Sequence, residues 1–399
     1  MINRHLLPVL KKALARFPAV VLEGPRQVGK TTLVRAAAPG LPYVTLDDLT
    51  ALAAARQDPQ GFLKGLPRPV ILDEVQRVPE LLLAVKQAVD KEKKPGSFLL
   101  TGSTSVRTRA KVRESLAGRA AVLRLWPMTL AELEGRPDWN PLDLLETAAD
   151  GAELLRAFPA RGSGGLTERV LAGGFPEPSA SLPAEGRAAW FEQYRRTYVE
   201  RDVPELVQVE EVPAFIRLVT RMAEASTQIL NLNRLAREIG VSAMTVRRWL
   251  WVLEASYLSE RVEPFWVQGK MRLVRTAKLL FADSGLMAHL AGLRTWGEAG
   301  RRGLDAALLE TWVHAHLRAF AASAGNAPEV RFFRAHYGPA VDYVLVWRGR
   351  QVPVTVRGSA TLREEDAAGL KAFLKLAGKE APFGLLLYAG EQALPFAEG

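Results

Sequence analysis

Three observations predict an α/β fold: a parallel sheet covered by helices, then a helical middle, then a second α/β unit at the C-terminus. Short apolar runs alternate with helical stretches across residues 19–124, the pattern of parallel strands joined by crossover helices. Polar residues punctuate the ends of those runs, and in such a sheet ligands gather at the carboxyl ends of the strands. A further set of apolar runs from Val330 onward repeats the strand pattern behind a long helix.

In chain order, Ala19-Val20-Val21-Leu22 reads as a buried strand and Thr31–Ala38 as a helix stopped by Pro39-Gly40. Between them stands Gly24-Pro25-Arg26-Gln27-Val28-Gly29-Lys30-Thr31-Thr32, which fits the phosphate-binding pattern G-x-x-x-x-G-K-[S/T] without a departure. A loop between strand and helix aims backbone N–H groups and the positive end of the helix dipole at one spot, a ready anion site. Gly24 and Gly29 are expected to admit phosphate oxygens close to the backbone. Lys30 is expected to meet the β- and γ-phosphates of ATP, and Thr31 to hold Mg²⁺.

The next strands are expected at Leu41–Leu46, ending in Asp47-Asp48, and at Pro69–Leu72, running into Asp73-Glu74. Ser97–Leu100 follows, running into Thr101-Gly102-Ser103, and Ala120–Leu123 closes the set. Pro79–Asp90 carries Leu82, Val85, Lys86 and Val89 at helical spacing. After a phosphate loop, an apolar strand ending in Asp-Glu is the second half of a nucleotide site. Asp73 is expected to hold Mg²⁺ through water, and Glu74 to orient and deprotonate the attacking water. Ser103, like Thr101, would touch the γ-phosphate or position water; ordinary turn chemistry is the alternative. Arg119, at the end of Ser115–Arg119, is the candidate for a cation supplied to a neighbouring subunit's γ-phosphate. Arg107, Arg109 and Arg113 are its rivals, and a solvated basic face is the bland reading of the cluster.

Gly24–Thr32, Leu72-Asp73-Glu74-Val75-Gln76, Leu100-Thr101-Gly102-Ser103 and Ser115–Arg119, in this order, resemble the AAA-type ATPases of bacteria and archaea. The subgroup they resemble carries a C-terminal domain of unknown function with a restriction-nuclease-like shape. Gly173-Gly174-Phe175-Pro176, Tyr198-Val199-Glu200-Arg201-Asp202, Lys278 and Asp283-Ser284-Gly285-Leu286 agree with that subgroup, so the resemblance spans nearly the whole chain. It implies a P-loop NTPase (AAA-like) parallel sheet with helices on both faces, binding and hydrolysing ATP with Mg²⁺.

Pro137–Gly165 loosens in composition, ending in Arg161-Gly162-Ser163-Gly164-Gly165, and reads as an exposed connector. Arg187–Val203 reads as a helix with an apolar face of Trp190, Phe191, Tyr194 and Tyr198. Residues 212–262 have the cadence of a winged helix: an amphipathic helix over Val212–Thr227, then helix, turn and helix with Gly240 in the turn and Ser242 as cap. Thr245, Arg247 and Arg248 would enter a DNA groove or meet phosphates, but the same fold also serves as an ATPase lid or a protein contact. A basic strip follows at Lys270, Arg272, Arg275 and Lys278, interleaved with Trp266, Met271 and Leu273. It suits a half-buried strand pair as well as a phosphate track.

In the C-terminal unit, Glu310 on a helix and Asp342 on a strand stand where restriction-type nucleases keep two acids. The Glu-x-Lys slot reads Thr355-Val356-Arg357, which removes a metal ligand and argues against cutting. The domains expected are an AAA-like ATPase core over 1–136, a helical linker or lid over 137–205, a winged helix over 206–268, and an inactive nuclease-like domain over 269–399.

With 53 Lys+Arg against 43 Asp+Glu, the 399-residue chain carries a net charge of +10, which favours a polyanionic partner such as DNA. Cysteine is absent, which excludes disulfides, Cys-zinc sites and thiol chemistry, and no apolar run approaches membrane-helix length. A cytoplasmic protein without a membrane segment is expected, and the trans arginine implies a homo-oligomer.

Overall fold

The computed structural model describes residues 2–104, 118–158, 164–205, 209–266 and 273–396. Arg107, Arg109 and Arg113, Ser115 to Ala117, Arg161 to Ser163, and Lys270 to Arg272 lie outside the described residues. The chain groups into two compact units, Met1–Asp138 with Ala255–Leu258, and Trp139–Glu254 with Ser259–Gly399.

The first unit is built on five parallel strands: β1 (Ala19–Glu23), β2 (Tyr43–Thr45), β3 (Val70–Asp73), β4 (Phe98–Gly102) and β5 (Ala120–Arg124). Their order across the sheet is β2-β3-β4-β1-β5. Side chains alternate between faces, so Ala19, Val21, Val70, Leu72, Phe98 and Leu100 share one buried face. That face packs against helices Leu49–Gln57, Pro59–Lys64 and Glu80–Lys91, which contribute Leu52, Leu63, Leu82 and Val85. Helices α1 (Leu6–Arg16) and α2 (Lys30–Ala37) also pack on β1 and bury Leu10, Leu33 and Val34.

The second unit holds helices α3 (Val212–Glu224), α4 (Leu232–Ile239) and α5 (Ala243–Ala255), the last ending at the border between units, then an antiparallel pair, β6 (Ser259–Val262) with β7 (Lys278–Phe281). A mixed sheet of order β11-β10-β9-β8 follows: β8 (Glu329–Arg334), β9 (Ala340–Trp347), β10 (Arg350–Arg357) and β11 (Leu385–Tyr388). It packs on helix α6 (Asp305–Ser323) and on α7 (Ala368–Ala377), whose Phe373 meets Phe333 and Phe265.

Two regions gain detail. The connector after residue 137 contains helices Pro141–Thr147 and Gly151–Ala157, capped by Asn140 and Asp150 and anchored by buried Leu142, Leu145 and Leu154. The helix through Trp190 is α-helical only over Ala184–Tyr194 and continues as π-helix over Arg195–Asp202. The wider turn brings residues five apart onto one side, and Arg195 pairs there with Glu200 as well as with Glu192.

Two glycine-bearing stretches lock this unit together. Asp283 is fully buried, caps the helix Ser284–Leu290 through the N–H of Leu286 at 2.8 Å, and accepts the N–H of Gly174 at 2.6 Å. Gly173 has φ of +68°, and a Cβ there would lie 2.3 Å from an Asp283 carboxylate oxygen. Next to it, Phe175 packs against Trp190, Phe191 and Tyr194. Gly173→Ala is therefore expected to destabilise the unit by roughly 2–4 kcal/mol, read as a shift in the urea midpoint. Gly303→Ala, at φ +65° with open space around it, is the control and costs about 1 kcal/mol.

Candidate active site

The glycine-rich loop joins the carboxyl end of β1 to the first turn of α2. Gly24 has φ of +152°, and a Cβ would meet the carbonyl oxygen of Leu125 at 2.3 Å, so a side chain is excluded there. Gln27 and Gly29 take φ of 62° and 97°, and Gly29 is the residue before the helix. Pro25 and Val28 are buried beneath the loop, while Arg26, Gln27 and Thr32 face outward. The Lys30 ammonium is 5% exposed and donates to the carbonyl oxygens of Gly24 at 3.0 Å and Pro25 at 2.8 Å.

Because β4 lies between β1 and β3, the residues ending β4 stand between the loop and Asp73-Glu74. Thr31 Oγ1 is 3.2 Å from Asp73 Oδ2. The same carboxylate accepts hydroxyl protons from Tyr43 and Thr101. Thr101 Oγ1 in turn accepts the N–H of Glu74 at 3.1 Å. Glu74 sits at φ 59°, a left-handed position that turns its side chain sharply off the end of β3. Its carboxylate accepts from Ser103 Oγ at 3.0 Å and from the Gln76 amide, which also reaches Ser103 Oγ at 2.9 Å.

A hydroxyl and a carboxylate this close form an all-oxygen donor set suited to a hard cation such as Mg²⁺, which takes few protein ligands and fills its shell with water and phosphate. Among the described residues no group of three or more metal-ligating side chains occurs. Burial pulls the Lys30 ammonium down to about 8, with Glu74 and then Asp73 opposing the fall.

Three further residues hold this region. Tyr43, on β2, binds Asp73 and is itself covered by the Arg35 guanidinium at 4.1 Å; burial, then the Asp73 bond, push its phenol up to about 12. Gln76 ties Glu74 to Ser103; its signal was its place three residues after Asp73. Arg4 is buried and donates to Val28 O at 3.0 Å, Trp126 O at 2.6 Å and Glu132 Oε1 at 3.0 Å, holding the loop from behind.

Arg119 lies elsewhere. It precedes Ala120, which pairs with Ala19 at the amino edge of the sheet, so a strand of about 15 Å separates it from its own phosphate loop. It pairs with Asp90 at 2.5 Å. In the second unit, Arg247 and Arg248 are exposed on α5, flanked by exposed Met244 and Trp251. Thr245 is half-buried, and its hydroxyl is bound to the cap Ser242 at 2.8 Å, so it serves the helix start. An open groove beside α5 is lined by Asn231, Asn233, Ala236, Arg237, Val241 and Ala243.

Of the two readings of the basic strip, Lys278 fits the strand pair, since it lies in β7 paired with β6. It is 4% exposed, and its ammonium donates to Glu310 Oε1 at 2.6 Å and to the Asp342 carbonyl at 3.1 Å, with Asp342 Oδ1 at 3.8 Å. Asp342 also accepts from Val356 N at 2.8 Å and from Arg357 at 3.5 Å. Arg275 lies over Trp266 at 5.3 Å.

Residues 16–134 match a family model described as an AAA domain. Residues 164–296 and 306–399 match two models described as domains of unknown function (DUF8612 and DUF4143). Uncharacterized proteins of Mycobacterium bovis and Mycobacterium tuberculosis are each 30% identical over 285 residues, 71% of this chain and 58% of the relative. The chain thus spans little more than half the length of these curated relatives. Among solved structures, the Walker-type ATPase of Pyrococcus abyssi aligns at 15% identity with a TM-score of 0.43, over 73% of this chain and 96% of that one. A signal transduction ATPase with numerous domains from Pyrococcus horikoshii aligns at 14% identity with a TM-score of 0.24, over 81% of this chain and 47% of that one. The N-terminal region is thus an AAA-type ATPase domain, for which ATP hydrolysis is the activity suggested. No helix among the described residues is long and apolar enough to cross a membrane.

A phosphate beside Lys30 would favour its charged form and raise its pKa from the value of about 8 it has without one. Nucleotide affinity is therefore full below that value and falls as pH rises through it, by about tenfold per unit. Titrating a fluorescent ADP analogue from pH 7 to about 10 reads this directly, and Lys30→Ala should abolish the dependence together with tight binding.

Proposed function

We propose that this chain is a Mg²⁺-dependent ATP hydrolase that works as a homo-oligomer on DNA. The observation that supports it best is the convergence at one sheet edge of Lys30, the Thr31–Asp73 pair and the Glu74–Gln76–Ser103 cluster. The loop amides of Gly24 to Thr32 and Lys30 hold the phosphates, and Thr31 and Asp73 would hold Mg²⁺, which would supply charge neutralisation to the phosphates. Glu74 takes the proton of the attacking water, and Ser103 orients Glu74 or the water. Arg119 sits at the opposite edge from its own site, which suits a role on a neighbouring subunit's γ-phosphate after it leaves Asp90.

The DNA reading draws on the net charge of +10 and on α4, α5 and the β6–β7 pair, taken as a winged helix that offers Arg247 and Arg248. One observation favours a second reading, a slow nucleotide-dependent switch with protein partners. Two donors, Ser103 Oγ and the Gln76 amide, both hold Glu74 Oε2, and turning that carboxylate toward a water would break them. The nuclease reading loses ground because the Lys278 ammonium already neutralises Glu310 and Asp342.

Glu74→Gln should keep nucleotide binding and lower turnover by about 10²–10⁴-fold. Turnover stimulated by duplex, single-stranded or branched DNA and weakened by salt supports the motor; turnover indifferent to all three supports the switch. Arg247→Ala with Arg248→Ala should reduce the slope of log affinity against log salt by roughly 2. Mixing Arg119→Ala with Glu74→Gln subunits should restore hydrolysis that neither variant has, because only a mixed interface joins an intact site to an intact arginine. Mixtures as inactive as their parts would sink the trans role.

A further inference from the structure

Ala255–Leu258 group with the first unit, although the chain before and after them belongs to the second. Within this segment Tyr257 has φ of 59°, a left-handed backbone that a bulky aromatic rarely adopts and that persists only where its surroundings enforce it. The side chain is 3% exposed, and its hydroxyl donates to Glu23 Oε2 at 2.5 Å. Glu23 is the last residue of β1, itself 2% exposed, and the residue after it is Gly24 of the phosphate loop.

The surroundings of this bond make it part of the loop's footing. Arg124 stands opposite Glu23 in the β1–β5 register and lays its guanidinium over the Tyr257 ring, 4.6 Å from the centroid. The same guanidinium lies 5.3 Å from the Trp126 ring. Leu125 N donates to Glu23 O at 2.8 Å, and Leu125 O fills the space where a Gly24 side chain would go. Glu23 is thus held by its carboxylate and by its carbonyl, one peptide bond before the loop begins.

We infer that Tyr257 is a positioning residue for the phosphate loop. Through its bond to Glu23, nucleotide occupancy of the loop acts on the stretch that joins α5 to β6. This rests on the nucleotide-site reading above. A buried carboxylate tolerates little loss of its donors, so a shift of the Glu23–Gly24 peptide on phosphate binding must move Tyr257 or break the bond. Tyr257 sits on a backbone turn that resists small adjustments, so the shift passes to the chain on either side.

The test compares wild type with Tyr257→Phe, which deletes one hydroxyl and keeps the ring under Arg124. ATP turnover, binding of a fluorescent ADP analogue and hydrogen exchange of amides 243–262 with and without nucleotide are measured. The expected result is a KM for ATP and an analogue Kd raised about tenfold with a smaller change in kcat. Nucleotide-dependent protection of 243–262 should be present in wild type and lost in the variant. A purely structural tyrosine would lower the melting temperature and leave KM, Kd and the protection of the folded protein unchanged; that outcome overturns the inference while the nucleotide site stands. If Tyr257→Phe does not fold, Glu23→Gln decides by the same readouts, with the same tenfold rise supporting and an unchanged KM overturning. Wild type that binds no nucleotide overturns both readings together.

Discussion

A loop that turns its N–H groups toward an anion must leave its carbonyl oxygens behind it, and those carbonyls need donors. Here they find them in two cations. The Lys30 ammonium takes the carbonyls of Gly24 and Pro25, and the Arg4 guanidinium takes that of Val28. Arg4 is bound at the same time to Glu132 and Trp126. The capping box of Thr129 and Glu132 fixes that glutamate, which also accepts the N–H of His5 at 2.8 Å. The loop's shape therefore depends on an ion pair between residues more than a hundred positions apart, both almost wholly buried. Removing either partner would strand the other charge away from water, a far larger loss than the pair contributes over apolar replacements.

Strand order does the rest. Had β3 paired with β1 directly, Asp73 and the loop would be neighbours with nothing between. With β4 interposed, Thr101 and Ser103 stand between the loop and Asp73-Glu74. One then ties Asp73 to the backbone of Glu74, and the other holds the Glu74 carboxylate. The sharp left-handed turn at Glu74 separates two adjacent acids into two tasks, one facing the Thr31 hydroxyl and one facing Ser103 and Gln76.

Much of this was legible in the residues. Alternating apolar runs gave the parallel strands because crossover helices are the ordinary way to join them, and the glycine pattern gave the tight loop between β1 and α2. The supports were illegible for a physical reason: a carbonyl or carboxylate oxygen accepts from any donor that reaches it, so nothing marks Arg4 or Tyr257 in advance. Gln76 and Tyr43 belong to the same class, polar side chains whose partners are set by tertiary approach and not by spacing. The individual helices of the linker after residue 137 were harder to place, because loose composition hides local caps. Asn140 and Asp150 each start a helix short enough that its apolar face is two or three leucines.

Lys278 was one of four cations in an alternating stretch that suits a half-buried strand pair as well as a phosphate track, and β7 carries it inward to two carboxylates. Burial alone would leave Glu310 and Asp342 repelling each other. Even with the ammonium 2.6 Å away, burial pushes the Glu310 carboxyl up to about 7. Arg357 adds a second cation on Asp342 from the slot where a nuclease would place its lysine. A divalent ion would have to displace the ammonium before reaching both acids, and the displaced lysine would then be a buried charge with no partner. The C-terminal unit has met the cost of its buried carboxylates with protein cations, which ties β7 to α6 and β9.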